Sequence, residues 1–282
     1  MMKTMKTSVR QKLLLTAGAF CFLVTAACAQ AELFSAKLPN SDLQRRAEHQ
    51  YLVETVYRNH DIYGNFSGKL KIWGKYTSGL DGGNVRWDDV YICRSSHYSD
   101  LLPARESLAF INGFSYNYEQ NLLAPEFFAN FPPNSVEAKN LVWDLAGMEF
   151  FAWGHTDSLK LNVPYHARNA NGPVDLAGHG FFDNRDIVLY WKGITQNDGE
   201  QLAVVDFRTL NNPLEVRVDL GERQLQTKGR SHYWGTIWLS VGQNCIDRIE
   251  LFEDVVLEMG WSDQAEKQLV DVLREMKVTK IY

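Results

Sequence analysis

His155, His166 and His179 fall within a stretch of 25 residues, with Asp157, Asp175 and Asp183 close by. Imidazole and carboxylate together can hold a divalent metal or relay a proton, so this is where the chain comes nearest to catalytic chemistry. The spacing argues against it. Paired metal ligands usually stand at i+2 or i+4 on one element, whereas these histidines are eleven and thirteen residues apart. Loop histidines in FAWGHTD and PYHARN are expected to face solvent. Two further patterns fail on context. Gly64-Asn65-Phe66-Ser67-Gly68 is one residue off the spacing of a nucleophile elbow, and alternating strand follows it where a helix is needed. Gly178-His179-Gly180 lacks the third glycine and the βαβ setting of a dinucleotide site. Both read as turns. No catalytic residue, metal or cofactor is assigned.

Cys93 and Cys245 are the cysteines left once an export signal is removed. Two lone thiols in an oxidising compartment either pair or lie buried separately as small hydrophobes. The expectation carried forward is a disulfide between them. No C-x-x-C occurs, which removes thioredoxin-like redox chemistry and zinc ribbons. The chain has eight tryptophans, and Trp191, Trp234 and Trp238 stand on segments apolar on both faces. Such a sheet needs cover on each side, from a helix or from a ligand with a hydrocarbon tail. These three tryptophans are the candidate lining of an apolar cavity.

The elements that would position them read mainly as antiparallel sheet. KLKIWGKY sets Leu70, Ile72 and Tyr76 against Lys69, Lys71 and Lys75. SLKLNVPY and LEVRVDL repeat the period of two, with one polar face. Asn197-Asp198-Gly199 and Gly242-Gln243-Asn244 are hairpin turns between apolar strands. Three helices are expected. Residues 42 to 58 follow Ser41, with Leu43, Ala47, Tyr51 and Val56 at roughly helical spacing. Residues 135 to 150 follow Asn134, with Ala138, Leu141, Val142, Leu145 and Met148 on one face. Residues 263 to 276 follow Asp263, with Ala265, Leu269, Leu273 and Met276.

Lys3, Lys6, Arg10 and Lys12 precede the apolar run from Leu13 to Ala27, the length of a secretory core rather than of a membrane span. Ala29-Gln30-Ala31 supplies a signal-peptidase site, so residues 1–31 read as a signal peptide and 32–282 as one domain. Acylation of Cys28 is the alternative, which would tether the protein to a membrane, although Thr25 stands where that signal prefers Leu. The expected location is periplasmic or secreted. Without residues 1–31 the chain keeps 25 basic against 34 acidic residues, a net charge near −9 that disfavours nucleic acid. No later apolar run reaches spanning length.

In its signal peptide, early amphipathic segment, long antiparallel series and late hairpin YWGTIWLSVGQNCIDRIELFEDVVLEM, the chain resembles the periplasmic lipoprotein-carrier superfamily, the LolA/LolB-like proteins. That resemblance implies an α+β fold: a strongly curved antiparallel sheet of about ten strands, an incomplete β-barrel, covered by helices around an apolar cavity. It implies binding and carriage of a lipid, an acyl chain or a lipidated partner. Two other classes stay open: a periplasmic hydrolase using the His155/His166/His179 region, and a β-sandwich module that binds protein or glycan.

Overall fold

The computed structural model describes residues 47–99 and 105–282. The described residues begin with three consecutive antiparallel strands, β1 (His49–Asp61), β2 (Phe66–Leu80) and β3 (Asn84–Ser95). Two short strands, β4 (Glu106–Ser107) and β5 (Phe114–Asn117), both pair with β3. The helix α1 (Val136–Trp153) follows, and it is the one α-helix among the described residues. After it come β6 (Pro164–His166), β7 (Gly172–Asp175) and β8 (Gly180–Asn184). The long meander β9 (Val188–Asn197), β10 (Glu200–Arg208), β11 (Asn212–Leu220), β12 (Arg223–Ser240), β13 (Cys245–Trp261) and β14 (Gln268–Ile281) completes the chain.

All fourteen strands belong to one antiparallel sheet of order β4-β3-β2-β1-β14-β13-β12-β10-β9-β6, and no ladder joins its two ends among the described residues. The first and last strands are neighbours in its middle. The sheet forks at β12, whose first half pairs with β11 and second half with β10. The fold is therefore predominantly β, and the α+β expectation of about ten strands under three helices is corrected to fourteen strands and one α-helix among the described residues.

Two of the expected helices are strands. Over its described part the segment 42 to 58 is β1, and the segment 263 to 276 runs into β14. In both, the apolar spacing of four residues fits a strand face as well as a helix face. The β-branched Val53, Thr55 and Val56, and Val270, Val272 and Val278, favour extended backbone. The third helix is real. The steps of three among Ala138, Leu141, Val142 and Leu145 cannot fit period two, and all four side chains are buried. It starts one residue later than expected, with Ser135 at the N-cap.

Asp198 and Gly199 both take positive φ in the β9–β10 hairpin, the conformation that an Asp-Gly type I′ turn requires. Gly242-Gln243-Asn244 likewise turns β12 into β13. SLKLNVPY is not one strand: Asn162 has φ 57°, and an isolated bridge from Lys160 to Val163 breaks the alternation before β6.

The face of the sheet toward α1, the inner face, is filled. Val53, Ile72, Trp87, Ile237, Ile249, Leu251, Met276 and Val278 form one core with Leu141, Leu145, Met148 and Phe151 of the helix. Phe110, Phe114, Phe127, Phe128 and Phe131, between β4 and α1, extend that core through mostly edge-to-face ring contacts 4.7 to 5.5 Å apart. The described residues belong to one compact unit, and none of their helices is long and apolar enough to cross a membrane. The signal peptide and Cys28 lie outside the described residues.

Candidate functional site

The three histidines do not meet. Lys139, in the first turn of α1, donates to Nε2 of His179 across 3.1 Å. His155 lies just beyond the opposite end of the helix, so roughly 20 Å of helix separates the two. His155 is buried against Phe150 and Tyr165, with ring centroids 5.0 and 5.3 Å away, and its Nε2 has no partner. Burial lowers its pKa. His166 is exposed on β6. Among the described residues no group of three His, Cys, Asp or Glu side chains could hold a metal ion.

The expected disulfide is not formed. Cys93 stands on β3 opposite Lys71, and Cys245 opens β13 opposite Ser240. Four strand-to-strand steps separate β3 from β13. Along the shared row Cys93 aligns with Phe252, seven residues from Cys245. Both thiols are buried. Cys245 Sγ instead accepts from Lys280 Nζ at 3.2 Å, and burial raises the thiol's pKa.

The three tryptophans divide between two faces. Trp191 is 6% exposed, lies opposite Val205 on the inner face, and donates its indole N–H to Gly193 O. It packs in the core. Trp234 and Trp238 point outward. Trp234 stacks on Phe252 at 6.1 Å, and Arg248 lies over the Trp238 ring at 4.0 Å.

That outward face carries the surface best suited to a ligand. Along β13 and β14 the strand register places Phe252, Leu273, Val256 and Leu269 on four successive rows in a zigzag, with Trp234 beside Phe252. These five side chains are 38 to 51% exposed. The zigzag covers about 20 Å at ~3.3 Å per residue. Polar groups interleave it. Asp254 and Asp271 sit diagonally across the β13–β14 ladder, next to His60 on β1. Burial, and then Asp254 itself, push the Asp271 carboxyl above its ordinary range. Arg58 pairs with Glu275 at 2.8 Å along one border. An exposed ion pair of this kind adds little stability.

The inner face holds two buried polar groups that the periodicity did not mark. Glu149 of α1 accepts from Tyr76 at 3.0 Å and from Tyr118 at 3.2 Å. Arg274 of β14 reaches Asp144 of α1 at 2.6 Å with one Nη and Glu253 of β13 with the other, and Ser231 donates to Glu253. Burial pushes Asp144 up to about 6 against the pull of Arg274, while the two carboxylates hold Arg274 well above its ordinary value. The arginine is therefore the fixed charge, and burial moves Asp144 toward protonation. The one sequence signal was Arg274 itself. Once β14 is read with period two, a charged residue stands among Val272, Met276 and Val278 on the inner face.

No protein-family model matches the chain, and no curated protein is significantly similar to it.

Proposed function

We propose that the chain is an exported binding or carrier protein for a lipid, an acyl chain or a lipidated partner, held on the outward face of β12 to β14. One observation carries this reading. Trp234, Phe252, Val256, Leu269 and Leu273 are exposed apolar side chains on four successive rows, with polar groups between them, on a sheet whose other face is already occupied by its own core. Single exposed apolar side chains are ordinary, but five of them gathered on adjoining rows of one sheet face favour an interaction surface. Covering it returns about 25 cal/mol for each Å² of apolar surface removed from water.

The strongly curved incomplete barrel belongs to the same reading. Glu149 bonds Tyr76 on β2, while Phe151, two residues later, packs on Phe207 of β10 at 5.6 Å. Between β2 and β10 the sheet takes five steps, about 24 Å if laid flat. A helix only ~10–12 Å across touches both, which supports a sheet bent around α1. In this arrangement the helix occupies the place that a carrier with an internal cavity keeps for its ligand. The outward track is where an apolar ligand still finds bare surface. Export rests on the pattern of residues 1–31.

Solvent extraction and mass spectrometry of the purified protein test for a bound lipid, and a palmitoylated peptide tests affinity through tryptophan fluorescence. Saturable quenching by the peptide is expected, and the outward double variant Trp234→Ser/Phe252→Ser should weaken it at least about tenfold. Unchanged affinity in the folded variant would place the ligand elsewhere. No lipid and no quenching would remove the acyl reading.

A further inference from the structure

We infer that the rim of the sheet at the ends of β10, β12, β13 and β14 is a binding site for an oxyanion, a carboxylate or phosphate ester carried on a small organic molecule. A cleft of about 1070 Å³ opens there, lined among others by Leu202, Val241, Gln243, Arg248, Lys280 and Tyr282. One of its lining side chains is a buried cation. Lys280 is 9% exposed, yet it makes no ion pair among the described residues. An ammonium has three donors. Two are used, on Gln243 Oε1 and on Cys245 Sγ at 3.2 Å, and the Tyr282 ring lies 5.0 Å from Nζ. One donor remains for a ligand.

Three acids line the cleft, Asp198, Glu200 and Asp247, and among the described residues none comes within ion-pair distance of Lys280. Asp247 is engaged by Tyr282 OH at 2.7 Å, and Glu200 accepts from Ser240. Arg248, whose nearest carboxylate contact is Glu250 at 3.9 Å, adds a second cation to the wall. A buried charge without a partner is costly, and a charge-assisted hydrogen bond from a ligand oxyanion offsets that cost. The size points the same way. A cleft of this volume is at the upper end of small-molecule sites, too large for a bare oxyanion, and Leu202, Val241 and the Tyr282 ring provide apolar wall for the organic part. The site is separate from the outward track and does not depend on it.

Calorimetric titration of the mature chain with hexyl phosphate, hexanoate and inorganic phosphate tests the inference. Saturable millimolar or tighter binding is expected for the two organic anions, and weaker binding for inorganic phosphate, which leaves the apolar wall bare. Lys280→Gln should lose at least about tenfold in affinity, while Lys277→Gln, on the outward face, should change it by less than about twofold. If Lys280→Gln does not fold, Arg248→Gln serves instead, with a loss of at least about threefold expected. Three outcomes overturn the inference: no saturable binding of either organic anion, inorganic phosphate binding as tightly as hexyl phosphate, or wild-type affinity in the folded cleft variant.

Discussion

Arg274→Met tests what holds the helix to the sheet. The side chain of Arg274 is 12% exposed, those of Asp144 and Glu253 are 15 and 5% exposed, and Met would leave both carboxylates without their cation. Stranding buried charge in this way costs ~3–5 kcal/mol. The pH dependence then separates lost charge from lost packing. In the native protein burial holds Asp144 near 6 against an ordinary 3.8. For an acid whose folded pKa is raised, the cost is present in full above the folded value. It disappears as pH falls through that value toward the unfolded one. That cost is about 3 kcal/mol at neutral pH. Without Arg274 the Asp144 carboxyl must rise further, and the proton it takes up on folding narrows the deficit by about 1.4 kcal/mol per pH unit. Urea unfolding should therefore show a loss of ~4 kcal/mol at pH 7.5, shrinking to ~1–2 kcal/mol at pH 5.5. The matching fall in Tm at pH 7.5 is about 8–16 °C for a domain of this size. Replacing all three groups together, as Arg274→Met/Asp144→Leu/Glu253→Met, should recover much of the loss. A deficit below about 1 kcal/mol at pH 7.5, or one equal at both pH values, would refute the idea that charge pins the helix.

His155, whose pKa burial lowers, stabilises the fold fully above its unfolded pKa of about 6.5, and that contribution is lost as pH falls below it. His155→Phe should abolish this acid limb in wild-type-minus-variant unfolding free energies, and an unchanged limb would show that another group carries it. Gly235→Ala should destabilise by ~1–3 kcal/mol, because a Cβ there would lie 2.0 Å from Glu250 O and 2.5 Å from the Phe207 ring. Gly242→Ala meets nothing within 4 Å and should stay within ~0.5 kcal/mol of wild type in the same denaturation assay.

Local patterns were enough for β2, β11, both late hairpins and α1. In each, the chemistry admits one reading: period two with a polar face, a turn with Asp-Gly at positive φ, or three-residue steps that only a helix satisfies. The candidate surface was half legible. That strands around Trp234 and Trp238 are apolar on both faces follows from composition. Which face meets the core does not, because a strand's two faces exchange with a one-residue change of register. Trp191 and Trp234 look alike in sequence and lie on opposite faces of the sheet. The rim cation was not legible at all. Lys280, Gln243 and Cys245 come together only because β12, β13 and β14 are neighbours that start and stop at the same edge.

The two misread helices share a cause that goes beyond propensity. β1 and β14 are each other's partners, paired from Gln50–Ile281 to Asp61–Val270. Taken alone, each segment has apolar residues four apart and is compatible with either helix or strand. Pairing removes the ambiguity. Val53 meets Val278, Thr55 meets Met276 and Tyr57 meets Arg274, so that every second residue of both strands faces the core. The information that decides each segment thus lies more than 200 residues away in the other. A reading that proceeds along the chain fails at this seam, where the first and last strands close the sheet's middle. The same seam sets Arg274 and Lys280 on the inner face of β14, one under α1 and one at the rim. Register errors there would turn both cations outward, so β1–β14 pairing decides at once the sheet's continuity, the helix clamp and the charge at the cleft.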